Sequence, residues 1–568
     1  MAEPPCDCPR TAAPGSLDQR GLLTKSSVIE YARERTLETY DFIIVGAGSS
    51  GCVLADRLSR DPKYSVLLIE AGPPDTSPLV HMPMGFGKLM YDRKYAWQFP
   101  IVPSGRRNTP ETWCRGKTLG GSSSINGMIY VRGQHEDYDS WEANGATGWG
   151  WRSVGAAFKS IEDHELGAAE WRGAGGPLHV GIERHPSEIL DVIIAAGVEM
   201  GLPRKTDLND VDQQGIGYLP RTIYKGRRFS AARAFLEPAK KRPNLRIVTN
   251  TEVDRVLFEG RRATAVACRG PQGAVTYSAG REIILSSGAL HSPKLLQLSG
   301  IGPAELLLRL GIEVVQDSPG VGANMREHRC LFMQYRLKRD LGFNRHLRGF
   351  GLATSVIRYY LNRSGPMAAP AHQAGAFLRS RPDVEHPDVQ LIFGAQSVTM
   401  EDDKVIIDQQ PGVQIIGCDM RPESQGTITI KSADSRDGVE IIPNFLSDSR
   451  DQRVAIDMTH IMRRLFQQKS LAAEIVEEMA PTATVRTDDE IVSYVRENAT
   501  SGHHAAGTCK MGQDALAVVD PRLRVRGVTG LRVMDCSVMP TVVSGNTNGP
   551  VMAMAWCAAN LILQDQVL

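Results

Sequence analysis

Three clusters in this chain bring together groups able to do chemistry. The first is Gly46-Ala47-Gly48-Ser49-Ser50-Gly51, directly behind the apolar run Asp41-Phe42-Ile43-Ile44-Val45 and ahead of a segment with Val53, Leu54 and Leu58 at helical spacing. In that setting the first glycine permits a tight turn and the second lets the backbone approach a pyrophosphate. The third lets helix and strand pack closely, and the helix N-terminus favours an anion. The next apolar run, Ser65-Val66-Leu67-Leu68-Ile69, ends in Glu70, nineteen residues after Gly51. A carboxylate there accepts hydrogen bonds from an adenosine ribose and favours an unphosphorylated one, so FAD or NAD is expected over NADP. The second cluster, Gly120-Gly121-Ser122-Ser123-Ser124, exposes several N–H groups and hydroxyls in one turn, which suits phosphates or a cofactor ring edge; a serine-rich surface loop is the alternative. The third is His503-His504. Imidazole is the natural base at neutral pH. A His pair is also a candidate metal site, but neither a His-Glu-x-x-His helix nor a nearby acidic ligand set accompanies it, so no metal is expected.

These groups need elements to position them. Residues 41–45 read as a parallel strand buried on both faces. Between 245 and 287, short Val/Ile/Thr-rich segments (246–248, 254–258, 263–266) separated by turns at Gly260, Gly270 and Gly273 predict an antiparallel meander. Residues 1–25, rich in Pro, Ala and Gly, predict a mobile extension, and Ser27 with Glu30 a capping box for a short helix through Leu37. Asn548 and Pro550 look like a helix start, and 551–563 is apolar nearly all round, as in a buried helix. The polar, mixed stretch 330–500 reads as a second domain inserted between nucleotide-binding segments. The expected division is an extension at 1–38, a discontinuous nucleotide domain at 39–165, 225–328 and 510–568, and a substrate domain at 166–224 and 329–509.

Composition narrows the function. The chain has 568 residues, 42% of them hydrophobic and 23% charged, which fits a globular protein and not a disordered or fibrous one. Lys and Arg number 65 against 64 Asp and Glu, so no net field draws in nucleic acid, and a small-molecule partner is expected. Arg60, Lys63 and Arg107 read as solvated surface charge. The ten cysteines are sparse, with only Cys6 and Cys8 close together, which argues for reduced thiols and a cytoplasmic location. No signal peptide or spanning segment is visible, and membrane association is not indicated, although a peripheral contact stays open.

Two long segments carry a resemblance. Gly116-Lys117-Thr118-Leu119-Gly120-Gly121-Ser122-Ser123-Ser124-Ile125-Asn126-Gly127-Met128-Ile129-Tyr130-Val131-Arg132-Gly133 and Gly288-Ala289-Leu290-His291-Ser292-Pro293-Lys294-Leu295-Leu296-Gln297-Leu298-Ser299-Gly300-Ile301-Gly302 resemble the two signatures of the glucose–methanol–choline (GMC) oxidoreductases, choline-dehydrogenase-like branch. The likeness runs from about residue 40 to the C-terminus. It implies an α/β flavoprotein with a Rossmann-like FAD domain, a sheet-based substrate domain, and oxidation of alcohols. It extends the expected cofactor contacts from Gly46, Gly48, Ser49, Ser50, Gly51 and Glu70 to Ala71, Trp97, Leu119, Gly120, Gly121, Asn126, Gly127, Val253 and Asp535. Some members attach flavin through a His before the motif's Asn; Ile125 stands there, so FAD is expected to be non-covalent.

The same resemblance implies the catalytic residues. His503-His504-Ala505-Ala506-Gly507-Thr508 is similar to the family's C-terminal segment, which makes His504 the base and His503 a pocket residue. The second catalytic position falls on Asn546, with Asn548 a weaker match. An Asn takes no proton here and would hydrogen-bond the substrate oxygen. The expected reaction passes the hydroxyl proton to His504 and a hydride from the carbinol carbon to flavin N5. Choline-specific members carry a Glu two residues after the His that matches His328; here Arg329 and Cys330 follow, so Cys330 is expected in the pocket and the substrate to be an uncharged primary alcohol, aromatic, furanic or aliphatic. Choline or another amino alcohol, and a hydroxynitrile-lyase reaction with FAD kept structurally, are the alternatives. The electron acceptor, oxygen or a quinone or other carrier, is left open.

Overall fold

The computed structural model describes residues 38–103, 111–183, 186–401, 404–482 and 484–566. Cys6, Cys8, the segment through Leu37 and Arg107 lie outside them. Two seven-stranded sheets carry the architecture. In the first, Glu38–Val45 is central, with Phe42, Ile43, Ile44 and Val45 buried. It runs parallel to Val66–Ile69 on one side and Gly273–Leu285 on the other. Continuous apolar runs suit such positions because helices cover both faces. The helix Ser49–Leu58 follows the glycine turn, and the last helix, Asn548–Asp565, packs against it.

The expected meander is correct for Glu252–Glu259, Arg262–Gly270 and Gly273–Leu285, which pair antiparallel in sequence. It is wrong for Leu245–Val248. That segment pairs parallel to Val66–Ile69 as the outer strand of the nucleotide-binding unit. Asn250, in the left-handed region at φ +54°, turns the chain after it. Leu531–Val533 returns from the far end of the sequence to pair parallel with Gly273–Leu285, which delivers Asp535 to the strand ends.

The second sheet runs Ile475–Ala480, Arg329–Leu337, Gly412–Asp419, Val389–Gly394, Ala374–Leu378, Gly215–Tyr218, antiparallel throughout, with Thr500–Ser501 also beside Arg329–Leu337. Side chains alternate between its faces. Leu331, Met333, Leu391, Phe393, Val413 and Ile415 join a core with the helices Glu188–Glu199 and Ser449–Phe466. Their neighbours Cys330, Phe332, Ile392, Ile416 and Cys418 form the opposite face and line a large cavity between the sheets.

Candidate active site

That cavity, about 1750 Å³, begins at the glycine turn. Gly46 has φ +99°, and a Cβ there would fall 2.6 Å from the Ser286 carbonyl oxygen. One on Gly51 would lie 2.0 Å from the Gly46 carbonyl oxygen, and one on Gly121 would lie 2.7 Å from the Gly48 Cα. The two glycine loops therefore touch; a Cβ on Gly48 would meet only the Ser286 carbonyl oxygen, at 3.8 Å, and Gly127 faces open space. The first turn of Ser49–Leu58 has no acidic residue and no side-chain cap, which leaves its N–H groups to an anion. Glu70, buried at its strand end, accepts the Ala47 N–H on Oε2 and the Gly72 N–H on Oε1, each at 2.9 Å; burial pushes its carboxyl up to about 7. Asp535, raised by burial, accepts from Ser292 Oγ and the Gly288 N–H. These residues fit FAD.

The cavity brings together most of the residues expected from sequence: Gly46, Gly48, Ser49, Ser50, Glu70, Ala71, Trp97, Gly121, Asn126, Gly127, Val253, Asp535, Cys330, His503, His504 and Asn546. Gly51, Leu119 and Gly120 are not on its wall. They shape the turns behind it: Gly51 lets the helix close on Gly46, and the Gly120 N–H donates to the Ala47 carbonyl at 2.8 Å. Trp97 meets His291 edge-on at 4.8 Å between ring centroids, under Lys117 Nζ. Ile125 presents only carbon to the cavity.

A continuous hydrogen-bond chain runs through His504 and Asn546 on the cavity wall. Asn546 Nδ2 lies 3.1 Å from His504 Nε2, and Gln390 Nε2 donates to Asn546 Oδ1 at 3.1 Å, which turns the amide N–H groups toward His504. His504 Nδ1 lies 2.9 Å from His328 Nδ1, and His328 Nε2 lies 3.1 Å from the Met420 carbonyl oxygen. A carbonyl only accepts, so His328 donates from Nε2 and its Nδ1 holds a lone pair. His504 must then donate from Nδ1, and its Nε2 lone pair faces Asn546.

His503 and His504 both reach the cavity because His503 adopts φ +62°, a left-handed turn held by its N–H donating to Ser501 Oγ at 2.8 Å. Burial holds His504 well below the ordinary imidazole range, and His328, His503 and Arg115 add to the effect. Burial lowers His328 to about 4; burial and then Arg115 lower His503 to about 4. Glu327 turns to the His504 backbone, accepting its N–H at 2.8 Å, with its other oxygen 3.5 Å from Arg115; burial raises it to about 6 against that attraction. Glu111 is paired with Arg329 at 2.7 Å.

The expectation of reduced thiols needs correction. Cys330 and Cys418 form a disulfide. They are directly opposed partners on adjacent antiparallel strands, Cα to Cα 4.3 Å, although 88 residues separate them in the chain. Spacing along the sequence carries no trace of such a pair. Cys52, Cys114, Cys268, Cys509, Cys536 and Cys557 are free. No helix among the described residues is long and apolar enough to cross a membrane.

Sequence reasoning missed His328, Gln390 and Arg115. His328 stood in plain view, in the segment read for its second following residue, but its role depends on Met420, which a distant strand delivers.

The GMC oxidoreductase family model matches residues 40–330 with its N-terminal part and 422–555 with its C-terminal part. The chain is 39% identical over 533 residues to the "Alcohol dehydrogenase [acceptor]" of Pseudomonas putida, covering 92% of this chain and 96% of that protein. It is 40% identical over 570 residues to the mitochondrial choline dehydrogenase of Homo sapiens, covering 98% and 94%. Among solved structures, pyridoxine 4-oxidase from Mesorbium loti superposes with a TM-score of 0.84 at 29% identity, covering 92% of this chain and 99% of that one.

Proposed function

Since the chain belongs to the GMC oxidoreductase family and is an FAD-dependent enzyme acting on alcohols, we propose that it oxidises an uncharged primary alcohol to the aldehyde, with His504 as the base. The observation that carries this reading is the His504 Nε2 lone pair beside the Asn546 amide on the wall of the cavity that fits the cofactor.

Bound FAD supplies the acceptor for the carbinol hydride. His504 Nε2 takes the hydroxyl proton, and Asn546 Nδ2 donates to the oxygen as its charge grows. Gln390 keeps that amide from flipping. Because Nδ1–H of His504 already donates to His328, the new charge on the ring is stabilised by the chain that ends at Met420, and the imidazole cannot turn its lone pair away.

Part of the wall supports this substrate class. Phe332, Ile392, Ile416 and the Cys330–Cys418 disulfide are apolar or nearly so, and the carboxylates Glu111 and Glu327 are engaged by Arg329 and Arg115. A trimethylammonium group would be desolvated there without a free counter-charge. This favours benzylic, furanic or aliphatic alcohols over choline, despite the name of the human relative.

An anaerobic absorbance titration of FAD-loaded enzyme with benzyl alcohol, furfuryl alcohol, an aliphatic primary alcohol and choline tests the reading. Bleaching by an uncharged alcohol supports it; bleaching by choline alone overturns it. Readmitting air, or adding a quinone, then identifies the electron acceptor by which one restores the spectrum.

A further inference from the structure

The helix Gly349–Asn362 carries an apolar surface that stands in solvent. Its Leu352, Val356 and Tyr360, at i, i+4, i+8, line the mouth of the catalytic cavity. Phe350, Ile357 and Leu361 form the next stripe and are 85%, 59% and 81% exposed. The helix is well seated without them: Tyr359 is buried against Met82, Leu347 and Met367, and its hydroxyl donates to the His81 carbonyl at 3.3 Å. Exposed Tyr91 and Val405 extend the apolar rim of the same cavity mouth. A patch of this kind beside a binding cavity marks a docking surface.

Charge indicates the partner. The whole chain is balanced at +1, yet residues 341–378 contain no Asp or Glu, and Arg345, Arg358 and Arg363 stand exposed around the helix. Lys88 and Arg93, also exposed, complete the rim. Apolar side chains flanked by long cationic ones match the boundary between acyl chains and anionic headgroups. A second copy fits poorly, because a two-fold contact would set this basic patch against itself.

We propose that this face docks on an anionic phospholipid bilayer, the helix lying in the interface. At 14 residues it is ~21 Å long, short of the ~30 Å hydrocarbon core, so it lies on the membrane and does not span it. Docking places the cavity mouth at the acyl boundary, where apolar alcohols partition. That consequence rests on the proposed function; the docking itself does not.

The test is sedimentation of full-length, FAD-loaded protein with phosphatidylcholine vesicles, with and without phosphatidylglycerol. The wild type is expected to pellet with the anionic vesicles. The triple variant Phe350→Ser, Ile357→Ser, Leu361→Ser, none of which lines the cavity, should lose roughly tenfold in partitioning while keeping its FAD and its circular dichroism. Arg345→Gln with Arg358→Gln should weaken the preference for anionic lipid, since Arg363, Lys88 and Arg93 remain. Failure of the wild type to pellet, or equal recovery of wild type and triple variant, overturns the proposal. So does a concentration-dependent dimer that the triple variant abolishes while vesicles recover neither protein, because it assigns the face to a second copy.

Discussion

His328 Nδ1 lies 2.9 Å from His504 Nδ1, and this one contact sets which nitrogen of His504 is basic. The His328 ring bonds His504 and Met420 and is not among the residues lining the cavity, so it acts as a positioning residue. Replacing it by Ala removes the acceptor, and the His504 ring gains the freedom to present Nδ1–H to the alcohol. His328→Ala should slow anaerobic FAD reduction by roughly 10²-fold, with a smaller change in the alcohol's apparent Kd. His328→Gln, whose carbonyl accepts from His504 and whose amide donates to Met420, should recover much of the rate. Equal loss in both variants, accompanied by loss of FAD, would point to a folding defect.

Asn546 and Gln390 form a second such pair. Asn546→Ala removes the donor proposed for the substrate oxygen and should cost roughly 10²-fold in the reduction rate. Gln390→Ala leaves the amide in place but free to flip, so a smaller loss is expected, and the double variant should fall short of the product of the two single effects. Multiplicative losses in stopped-flow reduction would show that Gln390 does not act through Asn546.

The pH profile separates this site from an ordinary histidine. His504 is held below the usual imidazole pKa by burial and neighbouring positive groups. If His504 is the base, as proposed, the neutral ring is the active form, and a depressed pKa keeps it neutral as the medium acidifies. The reduction rate should therefore stay level from pH 8 through 6.5 and fall only on the acid side of that value. An acid limb centred at 6.5 would show a solvent-exposed base.

The Cys330–Cys418 disulfide staples the two strands whose ends adjoin His328 and Met420, each two residues along from its cysteine. Cys330→Ser with Cys418→Ser should lower stability by roughly 2–4 kcal/mol, read by denaturant unfolding. Thiol titration in denaturant should find two more reactive groups after reduction than before. Identical counts would remove the disulfide from the account.

Much of the nucleotide half was legible in sequence because its chemistry is local. Gly46 to Gly51 serve one turn and one helix, and their spacing states the geometry outright. The parallel strand at Leu245–Val248 was less legible, since an apolar run of four does not say which partner it pairs with. The disulfide and the His328 chain were not legible at all. Cys330 meets Cys418, and His328 meets Met420, only through the register of two strands with some eighty residues between them. His504 and Asn546 were named by resemblance, while their contact and the tautomer that leaves the lone pair on Nε2 are visible only in three dimensions.

The central claim is that the Nε2 lone pair of His504 removes the hydroxyl proton. Rapid anaerobic mixing of benzyl alcohol with wild-type and His504→Ala enzyme, matched for FAD content, measures it directly. The account predicts reduction slowed by roughly 10²–10⁴-fold in the variant, with its FAD spectrum intact before mixing. Reduction at the wild-type rate would contradict it.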